Sequence, residues 1–300
     1  MPGSLWAILE SLDGGELRVL RAIEELSRRR RHVPLEVLEK KTGMPPGRLA
    51  RALSRLLSLK LVERASTPEL SYALTFRGLD ILALDNLRSR GVVATLGERI
   101  GVGKEGTAYL AYAPSGEPLV LKLHRGGVRG FRRIRVYRSY ASEVLGDFVE
   151  LAKLSAEREF KALVVLKKEG ARVPDGIAYN RHAVVQEYIP GVELYKLKPG
   201  LVEVDAEKLA RTVVETIRIA YTRVGIVHGD LSEYNVLAVL ESSEAYVIDW
   251  PQYVYRDEPS AESLLRRDAS YIVRYFRSRW GLTLDQERVL RYVKGEIHEI

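Results

Sequence analysis

The chain has 300 residues, 46% hydrophobic and 29% charged, which suits two compact domains or one large domain with an appendage. It carries a net charge of +7, has no cysteine, and contains no run near the ~18 to 20 apolar residues that span a bilayer. A disulfide framework, a thiolate metal site, cysteine catalysis and a membrane-spanning helix are thereby excluded. The N-terminus lacks a basic start and meets Glu10 early, so it does not read as a signal peptide and a cytoplasmic location is expected.

The charge is uneven. Residues 1–91 hold 16 Lys/Arg against 11 Asp/Glu, and the remainder holds 31 against 29. Such an excess on the first third favours a polyanionic partner, with ordinary solubility as the plainer explanation. Asn occurs only at 86, 180 and 235 and Gln only at 186, 252 and 286, a scarcity of heat-labile amides that fits a thermophile.

In chain order, helical periodicity runs over 16–30 through Leu17, Leu20, Ile23 and Leu26. A short helix over 34–41 follows, then a turn at 42–47 and a third helix over 46–60 with Leu49, Ala52, Leu53, Leu56 and Leu57 on its apolar side. Strands at 61–64 and 72–75 and a helix at 77–90 complete a winged helix-turn-helix plan. On the third helix Arg48, Arg51 and Arg55 share a solvent face, where they could engage phosphates or simply solvate the surface.

After Gly91 the pattern changes. Strands are predicted at 96–100, 107–113 and 118–123, followed by a glycine- and arginine-rich loop from His124 to Arg138. A long helix over 148–168 ends before Gly170, and two strands at 176–179 and 182–189 follow. From Asp205 the chain turns helical, with a strand pair at 236–240 and 245–248 and closing helices at 260–277 and 284–293. The fold class expected is α+β: a bilobal, protein-kinase-like fold with an N-terminal winged helix-turn-helix domain. The expected domains are a winged helix at 1–91, a strand-rich lobe at 92–189 and a helical lobe at 190–300.

Four elements in that region carry chemistry. Gly101, Gly103 and Gly106 make a G-x-G-x-x-G segment with Lys104 inside it. A strand rather than a helix follows, which is the context of a loop that covers ATP phosphates. Lys122 interrupts the apolar run Leu119–Leu123, either to pair with phosphates and a helix glutamate or as an outward residue of an alternating strand. Glu159 is the candidate partner and Glu157 competes with it. The segment from His228 to Asn235 has H-x-D-x-x-x-x-N spacing, with Asp230 placed to accept a proton and Asn235 to reach a metal through oxygen. Fourteen residues beyond Asn235, Asp249 ends the apolar run Tyr246–Ile248 as a second metal carboxylate.

These segments (GVGKEG, VLKLHR, LSAEREF, HGDLSEYN and IDWPQ) resemble the RIO family of atypical serine/threonine protein kinases, and with the winged helix its Rio2 branch. The resemblance implies ATP as substrate and Mg²⁺ as the metal, with Mn²⁺ an alternative. It implies a Lys122–Glu159 pair orienting the nucleotide, Asp230 as catalytic aspartate, Asn235 and Asp249 as metal ligands, and Glu187 and Ile189 at an adenine hinge. It also implies that Asp249 accepts phosphate as an aspartyl-phosphate, and that peptide-binding segments are absent; no A-P-E follows Asp249. Gly106 stands where serine is commoner, suggesting a more pliant loop, and Trp250 where phenylalanine is usual. The implied role is autophosphorylation and ATP hydrolysis in maturing the small ribosomal subunit. The precursor particle and its rRNA would be contacted through the winged helix and the basic loop. The expectation that carries all the others is that Lys122, Asp230 and Asp249 serve one triphosphate. A small-molecule kinase of the aminoglycoside type also uses H-G-D and I-D-W elements, but usually with His-x-Gly-Asn where this chain has Ser232-Glu233-Tyr234-Asn235. A nucleic-acid-binding regulator with a degenerate kinase domain is opposed by the intact Lys122, Asp230, Asn235 and Asp249.

Overall fold

The computed structural model describes residues 4–27, 32–65, 69–103, 106–125 and 148–300. Two compact units emerge: Met1–Arg125 with Asn180–Ala183, and Gly126–Tyr179 with Val184–Ile300. Among the described residues no helix is long and apolar enough to cross a membrane.

The first unit opens with a helix absent from the sequence reading, α1 (Leu5–Ser11). Seven residues make about two turns, too short for periodicity to show. Its Trp6, Ile8 and Leu9 are buried, and it packs on helix α5 and strand β4, described below. Helix α2 (Gly14–Ser27) begins at a reciprocal cap: Glu16 N–H donates to Asp13 Oδ1 at 2.8 Å, and Asp13 N–H donates to Glu16 Oε2 at 2.9 Å. The Glu16 N–H holds the Asp13 carboxyl below the usual carboxylate range. Strand β1 (Val33–Pro34), α3 (Leu35–Thr42) and α4 (Pro46–Ser58) follow, and α4 buries Leu49, Ala52, Leu53 and Leu56 as its spacing requires. Strands β2 (Val62–Ala65) and β3 (Ser71–Leu74) form the wing, with β1 on the far side of β3.

Helix α5 (Phe76–Ser89) is capped by the Thr75 hydroxyl and buried on most sides, so it forms the centre of the winged helix. Gly78 is needed there because a Cβ would meet the Leu61 carbonyl oxygen at 2.2 Å. Strands β4 (Thr95–Val102), β5 (Gly106–Tyr112) and β6 (Pro118–His124) make an antiparallel meander in the same unit.

The second unit contains α6 (Phe148–Lys168), whose span agrees with the sequence reading, and the body of the hairpin β7 (Gly176–Asn180) and β8 (Ala183–Glu187). Beyond it lie β9 (Val192–Glu193), α7 (Ala206–Ile219) continuing into a π-helical turn at Ala220–Val224, and β10 (Ile226–Val227). The hairpin β11 (Val236–Val239) and β12 (Glu244–Val247), strand β13 (Val254–Tyr255), α8 (Ala261–Trp280) and α9 (Gln286–Val293) complete it. Strands β9, β10 and β13 have two residues each and no pattern of their own; antiparallel partners in the same unit define them. Leu163 and Leu166 of α6, Val213 of α7, Val236, Val247, Trp250 and Phe276 share one core.

Candidate active site

The glycine segment forms the end of the β4–β5 hairpin. Gly103 N–H donates to Gly106 O at 2.9 Å, closing the turn. Lys104 lies outside the described residues. At Gly106 a Cβ would come within 2.6 Å of the Leu123 carbonyl oxygen, so glycine here answers close backbone approach. Cross-strand register aligns Gly101 with Ala108 and Ala108 with Lys122, which puts the glycine segment and the lysine on one transverse row of the sheet. Lys122 alternates with the buried Leu119, Leu121 and Leu123 and is itself half-buried.

In the second unit α6 buries Glu159 completely, whereas Glu157 is partly exposed and its Oε1 accepts from Lys161 Nζ at 2.6 Å. A buried carboxylate requires a partner, and a surface i,i+4 pair does not bring one to Glu159. Glu187 ends β8 and is committed locally: its N–H donates to Asp175 O at 2.9 Å, and its Oε2 accepts from Asp175 N–H at 2.9 Å and Lys167 Nζ at 2.8 Å. Ile189 O accepts from Gly191 N–H at 2.8 Å.

The loop between β10 and β11 brings Asp230, Asn235 and Asp249 together through backbone. Asn235 Nδ2 donates to Asp230 O at 2.8 Å, which fixes the amide and leaves Oδ1 as its oxygen donor. Ile248 N–H donates to Asn235 O at 2.9 Å and Val236 pairs with Val247, so the residue next to Asp249 is bonded to Asn235 itself. His228 accepts from Asp230 N–H at Nδ1 (3.2 Å) and donates from Nε2 to Ile248 O (3.1 Å), tying both aspartate segments to one imidazole. Trp250 packs its ring 4.6 Å from that imidazole and donates from Nε1 to Val247 O at 3.0 Å, and it is fully buried. Asp249 has φ +67°, a conformation that costs a non-glycine residue about 1–2 kcal/mol.

Beneath this loop lies a residue the sequence reading missed. Asp268 of α8 accepts from Gly229 N–H at 2.8 Å and Leu231 N–H at 3.3 Å, and Arg267 donates to both Asp268 and Gly229 O. Burial pushes the Asp268 carboxyl up, while His228, Arg267 and the Gly229 N–H pull it down. A signal existed: Asp268 falls three and four residues after Leu265 and Leu264, on the stripe that α8 buries. Gly229 adopts φ +76°, and a Cβ there would meet the Gln252 carbonyl oxygen at 2.9 Å.

The donors present fit magnesium. Asn235 and Asp249 offer hard oxygens, and among the described residues no group of three His, Cys, Asp or Glu side chains could form an all-protein cage. Magnesium commonly takes one or two such ligands and completes its shell with substrate phosphates and water.

The sequence matches the RIO domain family over residues 107–289 and the Rio2 N-terminal family over residues 9–90. It is 32% identical to the RIO-type serine/threonine-protein kinase Rio2 of Methanocaldococcus jannaschii, covering 87% of this chain and 97% of that protein. It is 33% identical to the serine/threonine-protein kinase rio2 of Schizosaccharomyces pombe, over 90% of this chain and 77% of that one. The crystal structure of the Rio2 kinase–ADP/Mg²⁺–phosphoaspartate complex from Chaetomium thermophilum superposes with a TM-score of 0.79 at 29% identity, covering 96% of this chain and 88% of that one. The chain belongs to the RIO kinase family, in its Rio2 branch.

As a RIO kinase it is a serine/threonine-protein kinase of the atypical type, with a protein-kinase-like fold and an N-terminal winged helix. Two surface features expected from its sequence change on inspection. The basic loop does not begin at His124: His124 ends β6 and is buried, and Arg125 Nη2 donates to Asp80 Oδ2 of α5 at 2.8 Å. The rest of that stretch, 126–138, lies outside the described residues. On α4 of this RIO kinase, Arg55 donates to both Glu16 oxygens, at 3.1 and 2.9 Å, and to Ser11 O at 2.7 Å. Its charge joins two helices rather than facing solvent alone.

Proposed function

We propose that this RIO kinase binds ATP with magnesium, transfers the γ-phosphoryl group to its own Asp249, and acts in the cytoplasm on the maturing small ribosomal subunit. The observation that carries the phosphoryl reading is the tie of Asp230, Asn235 and Asp249 through one imidazole and two hydrogen bonds, with Asp249 in a left-handed conformation. Strained residues of this kind cluster at functional sites, and the phosphoaspartate in the Chaetomium thermophilum Rio2 structure supports the same chemistry here.

In this reading a carboxylate oxygen of Asp249 attacks the γ-phosphorus. A new P–O bond forms, the bond to the oxygen bridging the β- and γ-phosphorus breaks, and ADP leaves with that electron pair. Water then cleaves the acyl phosphate, and Asp230 accepts its proton. Lys122 and the glycine hairpin hold the phosphates, and Asn235 keeps the catalytic loop in register with β12. Magnesium, held by Asn235 and Asp249, would neutralise charge on the phosphates.

Single-turnover reaction with γ-labelled ATP tests this. The wild type should retain hydroxylamine-sensitive label on Asp249, and Asp249→Asn should retain none and lose at least about 1,000-fold in turnover. Label that persists in Asp249→Asn would refute the assignment.

The ribosomal role is supported by the family and by the basic N-terminal third. Contact with rRNA is assigned to Arg48 and Arg51 of α4, which are exposed, with Arg55 bound to Glu16.

A further inference from the structure

Arg158 lies on α6, one residue before Glu159. Its side chain crosses to the turn that follows Asp249. Nε donates to Pro251 O at 3.1 Å, an Nη donates to Tyr253 O, and the guanidinium carbon sits 3.9 Å from the centre of the Tyr253 ring. Pro251, Gln252 and Tyr253 are buried, so carbonyls there need partners from within the protein. A planar guanidinium can serve two carbonyls and stack on a ring at once, whereas an ammonium is a point donor.

The turn matters because of what it must hold. A left-handed aspartate persists only where its neighbours over-determine the backbone. On the N-terminal side, Val247 N–H donates to Arg172 O and Ile248 N–H to Asn235 O, each at 2.9 Å. On the C-terminal side Trp250 is locked in the core, and Pro251 and Tyr253 are gripped from α6 by Arg158. Asp249 is thus suspended between the catalytic-loop hairpin and α6, the helix that carries Glu159.

We propose that Arg158 is a positioning residue: it anchors the 250–253 turn to α6 and so holds the Asp249 carboxylate where phosphoryl transfer needs it. A displacement of α6 would carry Asp249 with it, coupling the position of Glu159 to that of the phosphoryl acceptor. The catalytic half of this inference rests on the reading of Asp249 given above; the anchoring half rests on geometry alone.

The test compares wild type, Arg158→Ala and Arg158→Lys in the full chain, by hydrogen exchange over 246–255 and by kcat and KM for ATP. Arg158→Ala should exchange faster within 249–254 and little elsewhere. Its kcat should fall about 100-fold, the scale of a misplacement near 1 Å. KM for ATP should rise by a smaller factor than kcat falls, since the phosphate contacts of Lys122 and the glycine hairpin are untouched while the magnesium contact of Asp249 is only loosened. Arg158→Lys keeps the charge and one donor and should recover about ten-fold of the lost kcat; it also serves if the alanine variant does not fold. Unchanged exchange in 249–254, or wild-type kcat in a variant whose turn has loosened, would overturn the proposal. So would a uniform rise in exchange across the unit, which marks a plain stability role. If wild-type turnover proceeds without label on Asp249, the acceptor reading fails, and the exchange comparison still decides whether Arg158 holds the turn.

Discussion

Arg55 donates to both carboxylate oxygens of Glu16, whose side chain is 6% exposed, and Glu16 in turn caps the first turn of α2 through Asp13. Removing the arginine would leave a buried carboxylate with its cap but without its cation. A fully buried pair broken in this way costs about 3–5 kcal/mol. Because Arg55 is 44% exposed, solvent screens the loss, and Arg55→Ala should destabilise by about 1–2 kcal/mol, read as a lower urea midpoint. The same variant should leave the salt dependence of RNA binding unchanged, while Arg48→Ala with Arg51→Ala should flatten it by about two phosphate contacts. A flattened slope in Arg55→Ala would reverse these roles. The i, i+3, i+7 spacing made the three arginines legible as one face. That one of them is tied up across 39 residues of sequence was not legible, because nothing in the spacing of α4 reports where Glu16 lies.

Among elements, α5 and the β7–β8 turn show how buried charge is arranged. Asp80 of α5 accepts from Arg125 Nη2 and His182 Nε2, each at 2.8 Å, and Arg181 donates to both carboxylate oxygens of Glu24 on α2. Phe76 covers the cluster, its ring 6.0 Å from that of His182 and 5.1 Å from the Arg125 guanidinium. Burial pushes the His182 imidazole below its ordinary value, against the pull of its bond to Asp80, while Arg125 and His124 add to the depression. The folded state therefore keeps His182 neutral, and the unfolded chain takes up its proton near the usual pH of about 6.5. Stability from this source is complete above that pH and is lost as pH falls below it. Urea unfolding should show a lower midpoint at pH 5.5 than at 7.5, with a smaller difference in His182→Gln, which retains a donor toward Asp80 but does not titrate. Equal differences in the two proteins would remove His182 as the cause. The helices α2, α4 and α6 were legible because each repeats its apolar residues over three turns or more. Helix α1 was not, and neither were the two-residue strands, whose pairing partners lie far along the chain.

At the scale of the whole molecule, the proposed function assigns Lys122 and Asp249 to nucleotide binding, and ligand-induced stabilisation tests each of them. A ligand that binds only the folded protein stabilises it by about 2.7 kcal/mol when present at 100 times its Kd. ATP with magnesium should therefore raise the melting temperature of the wild type, and Lys122→Ala and Asp249→Ala should each abolish most of the rise. A full rise in either variant would show that the residue is not part of the nucleotide site.

By itself the sequence determined the order of the longer elements, the family and the short list of chemical groups. Local spacing encodes helix faces, strand alternation and the H-x-D-x-x-x-x-N loop directly, since each depends on residues within a few positions of one another. Only the tertiary structure decided which polar side chains are committed to one another: Asp268 beneath the catalytic loop, Arg158 on the turn after Asp249, Arg55 on Glu16 and Asp80 on His182. Those pairs join residues 37 to 102 positions apart, and their existence follows from burial, which forces each desolvated charge or carbonyl to find a partner wherever the fold supplies one.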